Sequence, residues 1–464
     1  MLYLDHLLTA KRRIACGGLS GEEGIGQGRS MRVRIEKLIF GGWGLGRVDG
    51  RVILVPRVLP GEEWEVEVIR ERKDYSMALP KEAIALSENR IAPPCPHFSD
   101  CGGCDYQHIP YELQVRIKGE IFKEELQRIG GIGPEVVEPM ITAPTSLGWR
   151  LRIDMAVAVL ERLRVGFYRR GTREVVDVES CPVAHSLVEA IAREVRSALD
   201  RHLNLSRSVR RVEVAASPYE GKGYIIIHCL VHHPKKHMRA LGEELSAVEF
   251  VKDVLIKHRA LVFPHSLFGK GRTASALRFR VDGVDLLCYP GVFFQANAEQ
   301  NERLISLLKE TLSQGVGEVV ELFCGMGNLS LPLAPFASSW TGVERDPLAV
   351  RNANYNAQLN GVRNVRFVQG EALKVLQEMV GDGRRCDLLL LDPPREGALK
   401  ELRTALGLHP QRVIYVSCNP ATLARDLRFL LGEGYELQRV VPFDFFPQTH
   451  HIEAVAFLKR RMSS

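Results

Sequence analysis

The sequence predicts an α/β protein of three folded parts: a small N-terminal β-barrel, a central α+β domain and a C-terminal Rossmann-like domain with seven strands. Three observations carry this prediction. Short alternating strands with glycine turns follow Met31, strands and helices with basic clusters mix in the middle, and buried-type strands alternate with helices after Leu287. We expect a flexible extension over 1–30, the barrel over 31–90, the central domain over 91–285 and the C-terminal domain over 286–464.

The composition is that of a globular protein of several domains, with 464 residues, 45% hydrophobic and 25% charged. The chain shows neither a long apolar run nor a signal-peptide layout, so we expect a cytoplasmic protein with no membrane partner. Ten cysteines then point to thiol chemistry or metal ligands rather than disulfides. The net charge of +6 comes from the front of the chain, which is typical of accessory domains that bind a polyanion.

The first domain reads as strands separated by glycine and Pro-Gly turns. This pattern alone suits a barrel that binds nucleic acid or one that only supports the structure. The glycine turn, "DGRVILVP" and "LPGE" resemble the TRAM domain, a small barrel attached to RNA-modifying enzymes. The resemblance implies that basic side chains contact RNA phosphates, namely Arg47, Arg51, Arg57, Arg70, Arg72 and Lys73.

Three cysteines lie close together in the loop "PPCPHFSDCGGCDYQHI". A loop rich in Pro, Gly and Asp contributes few apolar side chains against which a cysteine could pack. Its three cysteines, Cys95, Cys101 and Cys104, therefore indicate a metal or cluster site. Cys181, which Pro182 follows, is the best candidate for a fourth ligand. Tetrahedral zinc and a [4Fe–4S] cluster both use four thiolates, and spacing does not separate them.

A glycine loop in "ELFCGMGNLSLPLA" follows a predicted strand and opens a helix. Gly325 and Gly327 let a ligand approach the backbone near a helix N-terminus. Dinucleotide and S-adenosylmethionine sites share this Gly-x-Gly, but the third glycine of the dinucleotide pattern is missing. Glu344, at the end of the next strand, is placed to bind ribose hydroxyls or, in the simpler alternative, to cap a helix.

Two further strand ends carry reactive groups. Asp392 follows the fourth strand of the domain in "LLLLDPPR", where two prolines fix the turn. Cys418 ends the fifth strand in "VIYVSCNPATLARDL", where it is either an inert core thiol or a nucleophile. The last strand is expected to run antiparallel beside the fifth, which brings Glu453 to the same rim as Cys418. His450 and His451 flank that rim, where we expect structural or RNA-contacting roles.

Taken together, the motifs resemble the RNA (uracil-5-)-methyltransferase family of the bacterial 23S ribosomal RNA type. The cysteine loop, "PGVFFQANAEQNE", "ELFCGMGN", "LDPPR", "SCNPATLARDL" and "QTHHIEAVAF" occur in the order of that family. The resemblance implies that Cys418 is the nucleophile and Glu453 the base. It also implies a [4Fe–4S] cluster on Cys95, Cys101, Cys104 and Cys181, and S-adenosylmethionine bound by Gln295, Phe323, Asn328, Glu344, Glu371 and Asp392.

The chemistry of uracil gives independent reasons for these roles. C5 of uracil is a weak nucleophile until a thiolate adds at C6, and a base must afterwards remove the C5 proton. The expected activity is therefore S-adenosylmethionine-dependent formation of 5-methyluridine in 23S ribosomal RNA by a monomeric enzyme. The alternatives are the same reaction on a transfer RNA uridine, a non-catalytic RNA-binding assembly factor, and a nicotinamide dehydrogenase, which leaves "SCNP" unexplained.

Overall fold

The computed structural model describes residues 29–230, 234–259 and 261–461. The expected flexible extension over 1–30 therefore lies almost entirely outside the described residues. The described chain forms two compact units. Unit 1 comprises 29–110 with Tyr168–Val176, and unit 2 comprises Tyr111–Phe167 with 177–461. The boundaries expected at 90/91 and 285/286 stay predictions.

Unit 1 contains the predicted barrel, which closes in the strand order β1-β2-β3-β5-β4. Its interior is lined by alternate residues such as Val33, Ile53 and Val66, as the period of two along a strand requires. Gly46 allows β1 and β2 to approach, because a Cβ there would stand 2.4 Å from the Arg34 carbonyl oxygen. The strands are β1 (Ser30–Ile39), β2 (Trp43–Val48), β3 (Arg51–Pro56), β4 (Glu63–Glu71) and β5 (Tyr75–Ala85).

The first half of unit 2 is built around a mixed sheet with order β12-β11-β10-β9-β6-β7. One face of this sheet packs on two amphipathic helices, α2 and α5, through residues such as Val188, Ile225 and Leu241. The elements are α1 (Tyr111–Glu125), a π-helical turn (Leu126–Gly130), a 3₁₀ turn (Pro134–Val136), β6 (Arg152–Val159), β7 (Leu163–Tyr168), α2 (Ser186–Arg201), α3 (Leu203–Ser206), β9 (Val209–Ser217), β10 (Lys222–Cys229), α4 (Pro234–His237), α5 (Arg239–Ser246), β11 (Val251–Lys257), β12 (His265–Ser266), α6 (Arg272–Ser275), β13 (Leu277–Val281) and β14 (Val284–Cys288), and the short strand β8 (Val175–Asp177) falls on the boundary between the units.

The second half of unit 2 is the predicted seven-stranded Rossmann-like sheet, in the order β17-β16-β15-β18-β19-β21-β20. Five strands are parallel, and β21 pairs antiparallel with both β19 and β20. Its elements are α7 (Ala298–Leu312), β15 (Val316–Leu322), α8 (Ser330–Leu333), a 3₁₀ turn (Ala334–Phe336), β16 (Ala337–Glu344), α9 (Pro347–Leu359), β17 (Val365–Gln369), α10 (Ala372–Gly381), β18 (Leu388–Leu391), α11 (Leu399–Ala405), a 3₁₀ turn (Leu406–Leu408), β19 (Arg412–Ser417), α12 (Pro420–Gly432), β20 (Tyr435–Phe443) and β21 (Glu453–Arg460).

A buried ion pair ties α1 to the loop 444–452 that joins β20 to β21. Lys118 Nζ donates to Asp444 Oδ1 at 2.7 Å, and both side chains are fully buried. Lys118 also donates to the Phe446 carbonyl at 3.1 Å, and Gln114 and Gln448 exchange hydrogen bonds at 2.9 and 3.1 Å. Burial lowers the pKa of Lys118, whereas Asp444 raises it. The loop is thus held at several points by one helix.

No helix in the part of the chain that the structure describes is long and apolar enough to cross a membrane.

Lys118→Ala is expected to destabilise the protein by about 3–5 kcal/mol, because it leaves the Asp444 carboxylate buried without its counter-ion. Arg128→Ala removes an exposed ion pair with Glu125 and is expected to cost less than about 1 kcal/mol. The midpoints of urea unfolding, followed by circular dichroism, measure both. Equal midpoints for the two variants would contradict the importance of the buried pair. A Lys118→Met/Asp444→Leu double variant is expected to recover most of the loss.

Candidate active site

The loop 323–328 after β15 forms one side of the candidate site. Phe323 has φ 63°, and Gly325 and Gly327 have φ 55° and 87°. A Cβ at Gly327 would stand 3.1 Å from side-chain atoms of Leu331 and Phe367, and one at Gly325 would meet nothing within 4 Å. The left-handed backbone at three of these residues makes a tight turn whose open side is free for a ligand.

Glu344 lies at the end of β16 and braces this turn. Its carboxylate accepts from the Gly325 amide at 3.1 Å and from the Asp346 amide at 2.8 Å. The simpler alternative, a helix cap, is wrong, because Asp346 caps the following helix by accepting from the Leu348 amide at 2.9 Å. The position of Glu344 at the carboxyl end of the strand suits ribose binding. Glu371 follows the next strand at the same edge, exposed, with its Oε1 3.8 Å from Arg345 Nε.

Asn328 closes the turn through a reciprocal amide pair. Its side chain and that of Asn301 on α7 each donate to the other at 2.9 Å. Gln295 is half-buried in the preceding loop, 289–297, which is itself anchored: the Leu151 amide donates to the Ala296 carbonyl at 2.9 Å. These contacts fix the backbone that carries the two ligand-binding candidates, Asn328 and Gln295. Asn301 was not predicted from the sequence, because a single Asn in a helix belongs to no motif.

Glu321, directly before the turn, is a buried carboxyl group that the sequence did not reveal. It accepts from the Ser330 hydroxyl and, at 2.8 Å, from Trp340 Nε1. Burial raises the pKa of Glu321 to about 8, although both hydrogen bonds lower it. The group lies beneath the glycine turn and connects β15, β16 and α8.

Asp392 and Arg395 belong to the turn that follows β18. Burial raises the pKa of Asp392 to about 7. The Arg395 carbonyl accepts from Asn419 Nδ2 at 3.0 Å and from Thr422 Oγ1 at 3.1 Å. The "DPPR" turn and the "SCNP" turn are thereby tied together.

Cys418 stands where the sequence placed it, directly after β19. Asn419 caps α12 by accepting from the Ala421 amide at 3.1 Å, and Pro420 occupies the first helical position, where its missing N–H costs nothing. The thiol is half-buried. Burial, followed by Glu453 and Asp392, raises the pKa of the thiol to about 12, although Arg395 lowers it.

Glu453 is the first residue of β21 and is buried, with 6% of its surface exposed. Ser417 pairs with Ala454, so the residues just beyond that pair, Cys418 and Glu453, are neighbours at the rim. Burial and the nearby Asp392 raise the pKa of Glu453 well above its usual range, and Arg395 lowers it. The structure therefore brings together the predicted nucleophile, base and strand-end acid, with Arg395 as a cation that the sequence reading did not assign.

The two histidines before β21 border the same rim. Their ring centroids are 4.1 Å apart, and Arg395 Nη2 lies 3.3 Å from His451 Nε2. Burial, His450 and Arg395 lower the pKa of His451 well below its usual value. His451 is therefore neutral. It can accept a hydrogen bond from the Arg395 guanidinium and adds no second positive charge beside it.

The four predicted cluster ligands are divided between the units. Cys95, Cys101 and Cys104 are in unit 1, and Cys181 is in unit 2. Among the described residues, no group of three or more His, Cys, Asp or Glu side chains is arranged to hold a metal ion. The chemistry of the donor set nevertheless suits an anionic cluster, because three thiols share one loop and two half-buried arginines lie beside two of them.

Those cations are Arg57 and Arg170. Both lie within electrostatic range of Cys101 and Cys104, and burial lowers the pKa of each guanidinium, that of Arg170 to about 10. Arg57 also donates to the carbonyls of Ser99 and, at 2.9 Å, Cys101. The guanidinium of Arg57 thus braces the cysteine loop, and its expected contact with RNA phosphate stays a prediction.

A thiol, a buried carboxyl group and a guanidinium beside a glycine turn can perform covalent catalysis. The thiol is a nucleophile once ionised, the carboxylate is a proton acceptor, and the cation favours both anionic forms. The arrangement suits addition of Cys418 to an electron-poor carbon, followed by proton removal by Glu453, next to a nucleotide-type ligand on the turn.

Comparison with known families agrees with this chemistry. A family model described as tRNA (Uracil-5-)-methyltransferase matches residues 137–461, and a TRAM domain model matches residues 26–78. The first model spans both sheets of unit 2. The second spans most of the barrel.

Individual relatives cover nearly the whole chain. The 23S rRNA (uracil(1939)-C(5))-methyltransferase RlmD of Pseudomonas fluorescens is 34% identical over 443 residues, covering 93% of this chain and 92% of the relative. An uncharacterized RNA methyltransferase of Halalkalibacterium halodurans is 35% identical over 453 residues, which cover 92% of this chain and 96% of the relative. The crystal structure of Pyrococcus abyssi tRNA (uracil-54, C5)-methyltransferase with S-adenosyl-L-homocysteine is 26% identical, with a TM-score of 0.71, and covers 92% of this chain and 100% of that one.

Alkylation of Cys418 by iodoacetamide is expected to be slow at neutral pH and to accelerate toward high pH, because only the thiolate reacts. At a pH high enough to ionise Glu453, whose own pKa is raised, Glu453→Gln is expected to speed the reaction by removing a charge that raises the thiol pKa. Arg395→Gln is expected to slow it, because the cation lowers that pKa. Mass spectrometry of the Cys418 peptide measures the rates, with the exposed Glu433→Gln as control. Rates that change in the same direction in both variants would contradict the electrostatic assignment.

Proposed function

The chain belongs to the tRNA (uracil-5-)-methyltransferase family, and on this premise we propose that it methylates C5 of a uridine in 23S ribosomal RNA, with Cys418 as nucleophile and Glu453 as base. The family membership makes the protein an S-adenosylmethionine-dependent RNA uracil-C5 methyltransferase. The observation that carries the proposed mechanism is the adjacency of Cys418 and Glu453 at a rim shared with Asp392. The resemblance to RlmD over 93% of the chain supports 23S RNA as the substrate.

The proposed S-adenosylmethionine site uses the glycine turn and its neighbours. The open space beside Gly325 and the carboxylate of Glu344 suit a nucleoside with a sulfonium side chain. When bound, S-adenosylmethionine supplies the methyl group that C5 acquires. The residues proposed to hold it are Gln295, Phe323, Asn328, Glu344, Glu371 and Asp392.

The first step falls to Cys418. Its sulfur forms a bond to C6 of uracil, the C5–C6 double bond opens, and its electron pair moves toward C5 and the O4 carbonyl. The thiol must first lose its proton, which burial, Glu453 and Asp392 oppose in the free protein. Arg395 is the nearby cation that favours the thiolate, so we assign it the stabilisation of this step.

The last step falls to Glu453. Once C5 carries its methyl group, the Glu453 carboxylate accepts the C5 proton, the double bond re-forms, and the C6–S bond breaks to restore Cys418. Burial raises the pKa of Glu453, which makes its carboxylate a stronger proton acceptor than an exposed one. The uracil must lie outside any base stack, because both faces of C5 and C6 are used.

The proposal includes a [4Fe–4S] cluster on Cys95, Cys101, Cys104 and Cys181. Its support is the set of four thiols together with Arg57, whose positive charge would offset the negative charge of a thiolate-bound cluster, and Arg170, which also pairs with Asp105. No step of methyl transfer depends on it in this scheme. We also propose a monomer whose barrel contributes RNA binding.

The solved relative from Pyrococcus abyssi acts on a tRNA uridine, which makes transfer RNA the second candidate substrate. Mapping 5-methyluridine by mass spectrometry in 23S and transfer RNA from a strain lacking the gene separates the two. Loss from 23S RNA alone supports the proposal, and loss from transfer RNA alone would replace it. Unchanged methylation in both would favour a non-catalytic assembly role.

Cys418→Ala is expected to lower methyl transfer by roughly 10⁴-fold or more, because no adduct activates C5. Glu453→Gln is expected instead to accumulate a covalent protein–RNA species, since methylated adduct forms but cannot lose its C5 proton. Denaturing gels with labelled RNA detect the species, and Glu433→Gln serves as the unaffected control. A Glu453→Gln protein that turns over normally would show that another group is the base.

Protein purified without oxygen is expected to be brown and to contain iron and sulfide. Cys101→Ser is expected to lose both while S-adenosylhomocysteine binding, which involves other residues, persists. Elemental analysis and calorimetry measure these properties. Zinc at one equivalent in place of iron would contradict the cluster.

A further inference from the structure

The second face of the central sheet differs from the face that packs on α2 and α5. Part of it is apolar and belongs to the core that continues into the C-terminal sheet, including Tyr224, Ile226 and Leu255. Farther along the same strands the face becomes charged. There, Ala156 pairs with Arg211, Arg211 with His228, and His228 with Lys257 across four neighbouring strands.

These paired residues form one line across the sheet, because directly opposed residues share a face, and three of the four are basic. We call Arg211, His228 and Lys257 the basic row. The Arg211 side chain is 36% exposed, and His228 and Lys257 are half-buried. Lys257 makes no ion pair with any described residue, so its charge is available to a ligand.

The electrostatics of the row favour an anion. Burial, followed by Arg211, Lys257 and Arg152, lowers the pKa of His228 to about 3, which keeps the imidazole neutral among three cations. Arg211 donates to His228 Nδ1 at 3.5 Å. His228 Nε2 therefore carries the proton, and it is enclosed with no hydrogen-bond partner among the described residues.

Two carboxyl groups lie in the adjacent row of the same face. Asp154 accepts from Arg211, and Glu213 accepts from Arg152 at 2.9 Å. Burial raises the pKa of Asp154 to about 6, while Arg211 lowers it. Each of the two carboxyl groups is thus paired with one arginine, and Lys257 carries the positive charge that no described carboxylate offsets.

The face leads directly to the loop that carries Gln295. Leu151, next to β6, donates to Ala296 of that loop at 2.9 Å, and the Tyr224 hydroxyl hydrogen-bonds to the Gly291 backbone. Tyr224 lies four residues before His228 on β10, a distance of about 13 Å along the strand. The basic row therefore crosses the strand that also contacts the Gln295 loop, at a distance that about two extended nucleotides would span.

We infer that the basic row, assisted by Arg152, binds phosphate groups of the single-stranded RNA that leads to the target uridine. This inference rests on the proposed function for the identity of the polyanion. Phosphate contacts of this kind position a strand without reading its sequence. Their removal should weaken binding of all RNA sequences alike and reduce the dependence of binding on salt.

Arg211→Gln/Lys257→Gln removes two charges from the row. Binding of a uridine-containing single-stranded RNA is measured with S-adenosylhomocysteine present, so that no methyl transfer occurs, over a series of salt concentrations. The double variant is expected to bind about tenfold more weakly at low salt, with a slope of log K against log salt smaller by roughly 1–2. Arg193→Gln/Arg239→Gln removes the same charge from α2 and α5, which cover the opposite face, and is expected to leave the slope unchanged.

Asp154→Asn provides a change in the other direction. It removes a negative charge that holds Arg211, so RNA should bind several-fold more tightly. If the double variant only lowers the thermal midpoint and keeps the wild-type salt slope, the row is a structural network and the inference fails. That result leaves the proposed function intact, because failure of the proposed function would appear as unmethylated uridine with the wild-type protein. Equal effects of the two double variants would show a general charge effect and would also overturn the inference.

Discussion

The arrangement of the active site depends on the buried ion pair between Lys118 and Asp444. Glu453 is the first residue of a strand, and a loop of nine residues stands between it and the preceding strand. Without an anchor, that loop would leave the base free to move. Lys118, Gln114 and Gln300 bind it from two helices. Burying such a pair carries a large desolvation cost, so its value here lies in fixing one geometry.

A second set of contacts places the nucleophile relative to the base. The carbonyl of Arg395 accepts hydrogen bonds from Asn419 and Thr422, and these bonds connect the turn after β18 to the turn after β19. Four ionisable groups then share a small, partly buried volume: Cys418, Glu453, Asp392 and Arg395. Because the three acids oppose one another's ionisation, the resting site holds its protons, and a protonated thiol is also the form that resists oxidation.

Much of this could be predicted from the sequence, for reasons that differ between elements. The barrel and the seven strands follow from periodicity and glycine turns, and the pairing of β19 with β21 makes Cys418 and Glu453 neighbours. Lys118, Asn301 and Glu321 could not be predicted, because each acts through a partner distant in the chain and belongs to no motif. The contacts of Arg57 with the cysteine loop could not be predicted either, because a basic residue in a barrel sequence does not show the direction of its side chain. The basic row required the register of four strands, which no local pattern specifies.

Unit 1 is completed by a segment that the chain reaches late. Tyr168–Val176 belongs to it, and Tyr168 accepts from Gly102 at 2.9 Å while Arg169 bridges to Cys101. The barrel strands leave the ribosome well before this segment does. At synthesis rates of roughly 5–20 residues per second, the cysteine loop is synthesised several seconds before the segment Tyr168–Val176 that contacts it. During that interval its three thiols are exposed to oxidants and to competing metals, so the order of synthesis sets a window in which the newborn chain is most easily damaged.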